Sequence, residues 1–306
     1  MPTKDDTAGA DRIKSNEAKA ACKPSPPKPG PGLYIVATPI GNARDITLRA
    51  LDILNGADVV LCEDTRVTGK LFSYHQISSS LLPYHEHNAR RMRPLIMERL
   101  KNGDSVALVS DAGTPLVSDP GYRLVEACVE EDIPLTTLPG ASSVLCALVL
   151  SGLPTDRFFF QGFLPNKSGQ RRNALGGLMD IPGSLVFLES AKRLAASLAD
   201  MSEVLGERPV AVTRELTKLF EEVRRGDLAE LARYYADNGP PKGEVTLVVG
   251  PSAAEPAPEG EVLDRLILEA LETQAVKEVA AELAKRLGLP KRLIYNRALE
   301  LKSVAK

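Results

Sequence analysis

From residue 33 onward the chain repeats one pattern: a short apolar run, a small polar loop shaped by Gly or Pro, then a helical stretch. "LYIVA" leads into "TPIGNARD", "VVLC" into "EDTR", "VALV" into "SDAGTPLVSDPG", and "LTTL" into "PGASS". Continuous apolar runs are what strands look like when a sheet is buried on both faces. Between them lie helical segments, "TLRALDILNGA" ending at Gly56, "NARRMRPLIMERLKNG", "GYRLVEACVEED" and "SSVLCALVLSG". Runs rich in β-branched residues alternating with helices predict a mainly parallel α/β sheet.

"GLPTDRFFFQGFLP" reads as a crossover into a second, smaller α/β unit. That unit holds a helix from about Lys167 to Met179, the strand "SLVFLES", the helix "AKRLAASLADM" and the strands "PVAVTREL" and "EVTLVVG". The expected division is a tail over 1–31, α/β domains over 32–153 and 154–250, a linker over 251–261 and a helical module over 262–306. The tail ("KPSPPKPGPG" at its end) has almost nothing to bury and should be disordered and dispensable. "PSAAEPAPEGE" has the composition of a mobile linker. In the module, Val276, Val279, Ala280, Leu283 and Leu287 share one helical face, "GLP" breaks the helix, and "KRLIYNRALEL" begins another. That shape resembles a helix-turn-helix. From Lys277 to Lys306 there are eight Lys/Arg against three Glu, a local charge of +5 on a chain whose net charge is −2. A basic module on an acidic body points toward nucleic acid, the other reading being the charged surface of a helical hairpin.

Hydrophobic content of 43% and charged content of 25% suit a soluble globular protein, and no apolar run is long enough to span a bilayer. Cys22, Cys62, Cys128 and Cys146 form no CxxC pair and read as reduced thiols of a cytoplasmic protein. His85 and His87 in "YHEHN" lack a convincing third ligand, so a polar loop is expected and no metal.

Ligands of open α/β sheets bind beyond the carboxyl ends of the strands. Four strand exits of one character argue for one ligand on that rim. The rim has no GxGxxG for a dinucleotide, no GxxxxGK[ST] for phosphates and no GxSxG nucleophile. What remains is a backbone-rich pocket with a few Asp and Ser, suited to a small zwitterionic or cationic ligand with an adenosine-like part.

"TPIGNARDITLRAL", "CEDTR", "SDAGTPLVSDPG", "PGASS" with "SGLPTDRFFFQGFLP", and "TRELTKLFEE" together resemble the tetrapyrrole-methylase-fold (class III) methyltransferases. More narrowly they look like the branch that methylates a cytidine 2′-hydroxyl of small-subunit (16S) ribosomal RNA. The resemblance covers residues 33–251, and the basic tail fits it. It implies S-adenosyl-L-methionine bound in a cleft between two α/β domains, ribosomal RNA as partner, no membrane, and a homodimer. Residues 111–115 resemble the family's Gly-Asp-Pro ligand loop, with Thr114 where many tetrapyrrole relatives carry Asp. Carried over by motif, the cofactor site includes Pro39, Asp111, Ala112, Gly113, Thr114, Ser142 and Ser143, with Glu189 and Leu216 from the second domain.

Methyl transfer to a ribose hydroxyl needs in-line positioning and benefits from a general base. Glu63 and Asp64, leaving a strand end with Arg66, are the first candidates; Glu215 and Glu244 are others. Arg44, Arg66, Lys70, Arg214, Lys218 and Lys242 are candidate phosphate contacts, as are Lys291 and Arg292 in the module. Two rival readings stay open: a methylase of a precorrin-type small molecule, which needs no basic tail, and a non-catalytic RNA-binding protein, which has no cofactor affinity.

Overall fold

The computed structural model describes residues 28–252, 260–287 and 289–304. The expected tail up to residue 27, with Cys22, and the linker from 253 to 259 lie outside them. The chain groups into two units, which are interleaved rather than consecutive. Unit 1 takes residues 28–36, Ile46–Asp111 and Pro120–Pro139; unit 2 takes Ala37–Asp45, Ala112–Asp119 and the chain from Gly140 on. Residues 140–153, expected in the first domain, therefore group with the second.

Unit 1 is built on β1 (Gly32–Val36), β2 (Val59–Cys62), β3 (Leu81–Pro83), β4 (Ser105–Val109) and β5 (Leu135–Leu138). All its pairings are parallel, in the order β3-β2-β4-β1-β5. β2 and β4 are buried along their whole length, which is why they read as unbroken apolar runs. Its helices are α1 (Leu48–Gly56), α2 (Thr65–His75), α3 (Glu86–Lys101) and α4 (Tyr122–Glu130). The Thr47 hydroxyl accepts from the Ala50 amide and starts α1. α2 and β3 were not foreseen. α2 contains Gly69 and β-branched residues, and the Asp64 cap is what starts it; β3 is a three-residue edge strand ending in Pro, the one place in a sheet that tolerates one.

Unit 2 carries β6 (Phe158–Phe163), β7 (Ser184–Ser190), β8 (Pro209–Arg214), β9 (Glu222–Asp227) and β10 (Glu244–Val249), in the order β6-β7-β10-β8-β9. Only β6 and β7 pair in parallel; the other ladders are antiparallel. "FFFQGF" is thus a strand, with a register shift between Phe160 and Gly162, and not a bare crossover. β9, "EVRRGD", is a charged edge strand with no buried residue, so it has no apolar signature to read. The helices are α5 (Ser143–Ser151), α6 (Ser168–Gly176), α7 (Leu194–Leu205) and α8 (Leu228–Asn238).

The remaining helices are α9 (Gly260–Leu271), α10 (Val276–Leu287) and α11 (Lys291–Val304). They enclose their own apolar core of Leu263, Ile267, Val279, Ala280, Leu283, Ile294 and Ala298. Arg297 on α11 clasps Asp264 on α9 with two hydrogen bonds of 2.6 and 2.7 Å. Three packed helices with a short turn before the last match the expected helix-turn-helix shape. Among the described residues Cys62 and Cys128 are buried free thiols, and burial pushes Cys128 up to about 11. No described helix is long and apolar enough to cross a membrane.

The expected tail runs to residue 31, and its last four residues are among those the structure describes. Residues 28–31 dock on unit 1: the Lys28 ammonium lies 2.7 Å from Asp58, and a Cβ on Gly56 would sit 2.5 Å from Pro29. Hydrogen bonds from Lys28 and from the Ser105 amide hold the Asp58 carboxyl at about 2, against 3.8 for a free one. A depressed acid stabilises the fold above its unfolded value, and that stabilisation disappears as pH falls from about 3.8 to about 2. A chain begun at residue 28 should keep the full Tm at pH 7. One begun at Gly32 should lose about 1 kcal/mol or less, roughly 2–4 °C, because Lys28 is largely exposed. The difference should shrink between pH 4 and pH 2; a pH-independent gap would assign it to Pro29 packing instead.

Candidate active site

The exits of β1 and β4 leave neighbouring strands, and the chain then runs to β2 on one side and to β5 on the other. That reversal of strand order is where ligands of open sheets bind. Beyond these exits, both loops belong to unit 2. There, Thr38 and Gly113 exchange two backbone hydrogen bonds, of 2.9 and 3.0 Å, joining the two loops. Gly113 has φ +83°, and a Cβ there would meet Ile40 at 3.4 Å. The Thr114 hydroxyl donates to the Ala141 carbonyl at 3.3 Å, tying the same loop to the "PGASS" turn. A Cβ on Gly140 would lie 2.7 Å from that of Ala37, so this turn needs Gly for close approach. Ser142 then caps α5 through the Leu145 amide.

The "TREL" loop docks on the first loop in turn. The Asn42 amide donates to Thr217 Oγ1 at 3.1 Å, and a Cβ on Gly41 would lie 2.9 Å from the Leu216 carbonyl. Leu116, Ser118, Glu215 and Thr217 all have positive φ, four of the six non-glycine residues that do among those described. Each costs on the order of 1–3 kcal/mol, and such residues gather where a ligand site is shaped.

These loops surround a cavity of about 440 Å³ within unit 2. Its walls are apolar at Ile40, Val117, Phe163 and Leu188, and polar at Ser118, Asp119, Ser143 and Glu244. An apolar cleft of this size with a few convergent polar groups fits a cofactor-sized molecule.

Of the expected cofactor residues, Ala112, Ser143 and Glu189 line the cavity. Gly113, Thr114 and Ser142 act as its scaffold, through the bonds just described. Pro39 is half-buried between Thr38 and Ile40, and Leu216 is buried in an apolar cluster with Ile40, Val144 and Val248. The buried Glu189 carboxylate is occupied. It accepts from the Ser190 amide, Arg193 Nε and Ser197 Oγ at 2.6, 2.7 and 2.5 Å. Glu189 therefore holds its own strand end in place. Asp111 belongs to unit 1, where its carboxylate accepts from the Asp64 amide at 3.1 Å. Sequence reasoning did not name Ser118, Asp119 or Phe163, although the first two sit inside the "SDAGTPLVSDPG" loop.

The candidate catalytic residues separate by environment. Asp64 caps α2 and grips the Arg66 guanidinium and amide, which hold its carboxyl at about 2. Asp64 and Arg66 are thus committed to each other. Glu63, exposed at the end of β2, has its carboxyl pushed up, first by desolvation and next by the Asp111 charge, with His85 opposing. In unit 2, hydrogen bonds from Lys218 and the Glu244 amide lower the Glu215 carboxyl. Lys218 also reaches Glu244 at 2.9 Å.

The candidate RNA contacts divide likewise. Arg214 pairs with Glu222 at 2.9 Å, and Lys218 with Glu215 and Glu244. Arg44, Lys70, Lys242, Lys291 and Arg292 are exposed. The described residues contain no cluster of three or more His, Cys, Asp or Glu able to hold a metal.

A family model described as "Tetrapyrrole (Corrin/Porphyrin) Methylases" matches residues 32–232, and one described as "RsmI C-terminal HTH domain" matches residues 256–302. A curated protein of Mesorhizobium japonicum, "Ribosomal RNA small subunit methyltransferase I", is 51% identical over 276 residues, covering 90% of this chain and 94% of its own. A protein of the same name from Erythrobacter litoralis is 51% identical over 273 residues, covering 89% and 96%. The fold is also similar to that of uroporphyrin-III C-methyltransferase from Thermus thermophilus in complex with S-adenosylhomocysteine. The TM-score is 0.50 at 21% identity, with 72% of this chain and 97% of that one covered.

Gly113→Val places a branched side chain at a left-handed position beside Ile40 and at the Thr38 bridge. The fold should survive, with a Tm lowered by several degrees, while calorimetry shows S-adenosylmethionine binding weakened at least tenfold. Unchanged affinity in the folded variant would take this loop out of the site.

Proposed function

We propose that this chain, which belongs to the tetrapyrrole (corrin/porphyrin) methylase family, transfers a methyl group from S-adenosylmethionine to a cytidine 2′-hydroxyl of small-subunit ribosomal RNA. The observation that carries the reading is the union, in one chain, of the methylase fold and the basic three-helix module. The relatives named ribosomal RNA small subunit methyltransferase I share both over about nine-tenths of this chain. A porphyrinoid methylase has no use for the module.

The chain's residues fit the cofactor. Gly113, at φ +83°, lets the two loops that shape the cavity join, and the apolar walls and polar groups of the cavity suit an adenosine with a charged tail. When bound, S-adenosylmethionine supplies a sulfonium methyl that is already a strong electrophile. The protein's share is positioning, exclusion of water, and removal of the proton from the attacking 2′-oxygen. Glu63 is the base in this reading. Asp64 is held by Arg66 and Glu215 by Lys218, whereas Glu63 has the raised proton affinity a base requires. Phosphate contacts come from the exposed Arg44, Lys70, Lys242, Lys291 and Arg292, with the module adding affinity that does not depend on sequence. We further place the protein in the cytoplasm as a homodimer. The exposed Leu219 and Phe220 of unit 2 are consistent with a protein contact.

The test is incubation of small ribosomal subunits lacking the modification with methyl-labelled S-adenosylmethionine, followed by mapping of the labelled nucleotide. Label on a cytidine ribose supports the reading; label on a base, or on a porphyrinoid alone, rejects it. Glu63→Gln should slow transfer about 10²–10⁴-fold without changing cofactor affinity. Because the Glu63 carboxyl is raised, the wild-type rate should fall as pH drops through a value above 4.5, and the variant should lose that acid limb. An unchanged rate would exclude Glu63. Deleting residues 262–306 should weaken subunit binding and flatten its salt dependence while sparing cofactor affinity. A lower Tm with an unchanged salt slope would make the module a packing element instead.

A further inference from the structure

Several cations that the sequence offers for RNA are already neutralised: Arg66 by Asp64, Arg214 by Glu222, and Lys218 by two glutamates. A cation locked to a carboxylate offers little net charge to a phosphate. The first half of α3 is different. His85, His87, Arg90, Arg91 and Arg93 crowd into nine residues against Glu86 alone. Among the described residues, Arg90 and Arg91 are exposed and have no ion-pair or hydrogen-bonding partner, although Glu86 stands four residues before Arg90.

Arg90 and Arg93 are like charges three residues apart on one helix face, and such pairs repel. At the other end of α3 the dipole favours cations, and there Arg99 and Lys101 are paired as well, with Asp104 and Glu131. The helix thus neutralises the cations of its last turn and leaves Arg90 and Arg91 without partners. Exposed guanidinium groups without partners keep their full charge for an anionic ligand.

The turn that presents them is braced. The Asn88 side chain accepts from the His85 amide and donates to the Pro83 carbonyl, each at 2.9 Å. The buried Tyr84 donates its amide to Cys62 at 2.8 Å, anchoring the turn to the strand that leads into Glu63. β3 and β2 are adjacent and parallel, so the turn and Glu63 leave the sheet side by side at the same rim.

We propose that residues 83–88 and the first turns of α3 form an RNA-backbone ridge on unit 1. In it Arg90 and Arg91 hold phosphates on the strand whose ribose faces Glu63. Arginine suits this task because its guanidinium binds phosphate bidentately and stays charged. The inference rests on the RNA-methylation reading and names the surface that reading requires near the base.

The test compares wild type with Arg90→Ala/Arg91→Ala in binding to small ribosomal subunits across a salt series. Two phosphate contacts should contribute about 1.4–1.8 to the slope of log affinity against log salt, and the variant should lose that much. Tm and S-adenosylmethionine affinity should not move, and Arg90→Lys/Arg91→Lys should recover most of the slope. Arg49→Ala/Arg233→Ala removes the same net charge from exposed positions elsewhere and should leave the slope intact. An unchanged slope in the alanine variant, or an equal loss in the control, overturns the ridge. If wild type transfers no label to RNA yet its binding still depends on Arg90 and Arg91, the ridge stands and the methylation reading falls.

Discussion

Two backbone hydrogen bonds between Thr38 and Gly113 hold together the loops on which the candidate site depends. They form where the strand order reverses, between chain segments that diverge on leaving β1 and β4. Once these loops are joined, Thr114 can reach the Ala141 carbonyl, Asn42 can reach Thr217, and Gly140 can lie against Ala37. The bridge uses main-chain atoms, so it tolerates many side chains nearby but demands a glycine at φ +83°. The short Gly/Pro loops are therefore connecting parts of one scaffold, and neighbouring residues of the same loops, Ile40, Ala112, Ser118 and Ser143 among them, face the cavity.

The distribution of strain and charge follows from that scaffold. Leu116 and Ser118 in one loop, and Glu215 and Thr217 in another, adopt left-handed conformations that side chains disfavour. Glu215 is held there by Lys218 and by the Glu244 main chain, and Gly243 is the residue that makes room for its carboxylate. On unit 1 the two acids of "EDTR" diverge for a local reason. Asp64 is the residue whose carboxylate reaches the Arg66 amide in the first turn of α2, and the Arg66 guanidinium closes on the same carboxylate. Glu63, one residue earlier, has no such partner and keeps a raised proton affinity beside Asp111. Neighbouring carboxylates with opposite shifts are how a structural acid and a reactive one are told apart.

The alternating α/β architecture, the parallel character of the first sheet, the helical module and the chemistry of the rim loops were legible in the residues, because each has a local cause. Burial on both faces makes β2 and β4 read as apolar runs, and Thr47, Ser142 and Gly152 mark helix ends by their own preferences. Tertiary structure alone decided the rest. β9 and β3 are edge strands, defined by their neighbours rather than by their own apolar content, and α2 depends on one capping carboxylate. The antiparallel ladders of β10 with β7 and with β8 pair strands distant in sequence, which no local window contains. Glu189 was singled out by its motif, but three partners brought in by folding turned its carboxylate into a brace. Likewise the sequence lists its arginines without their partners. Only the folded chain separates Arg214, neutralised by Glu222, from Arg90 and Arg91, left bare on α3. Propensity, capping and burial pattern act over a few residues and survive in the sequence, whereas ion pairing and cavity lining depend on distances that exist only after the chain has folded.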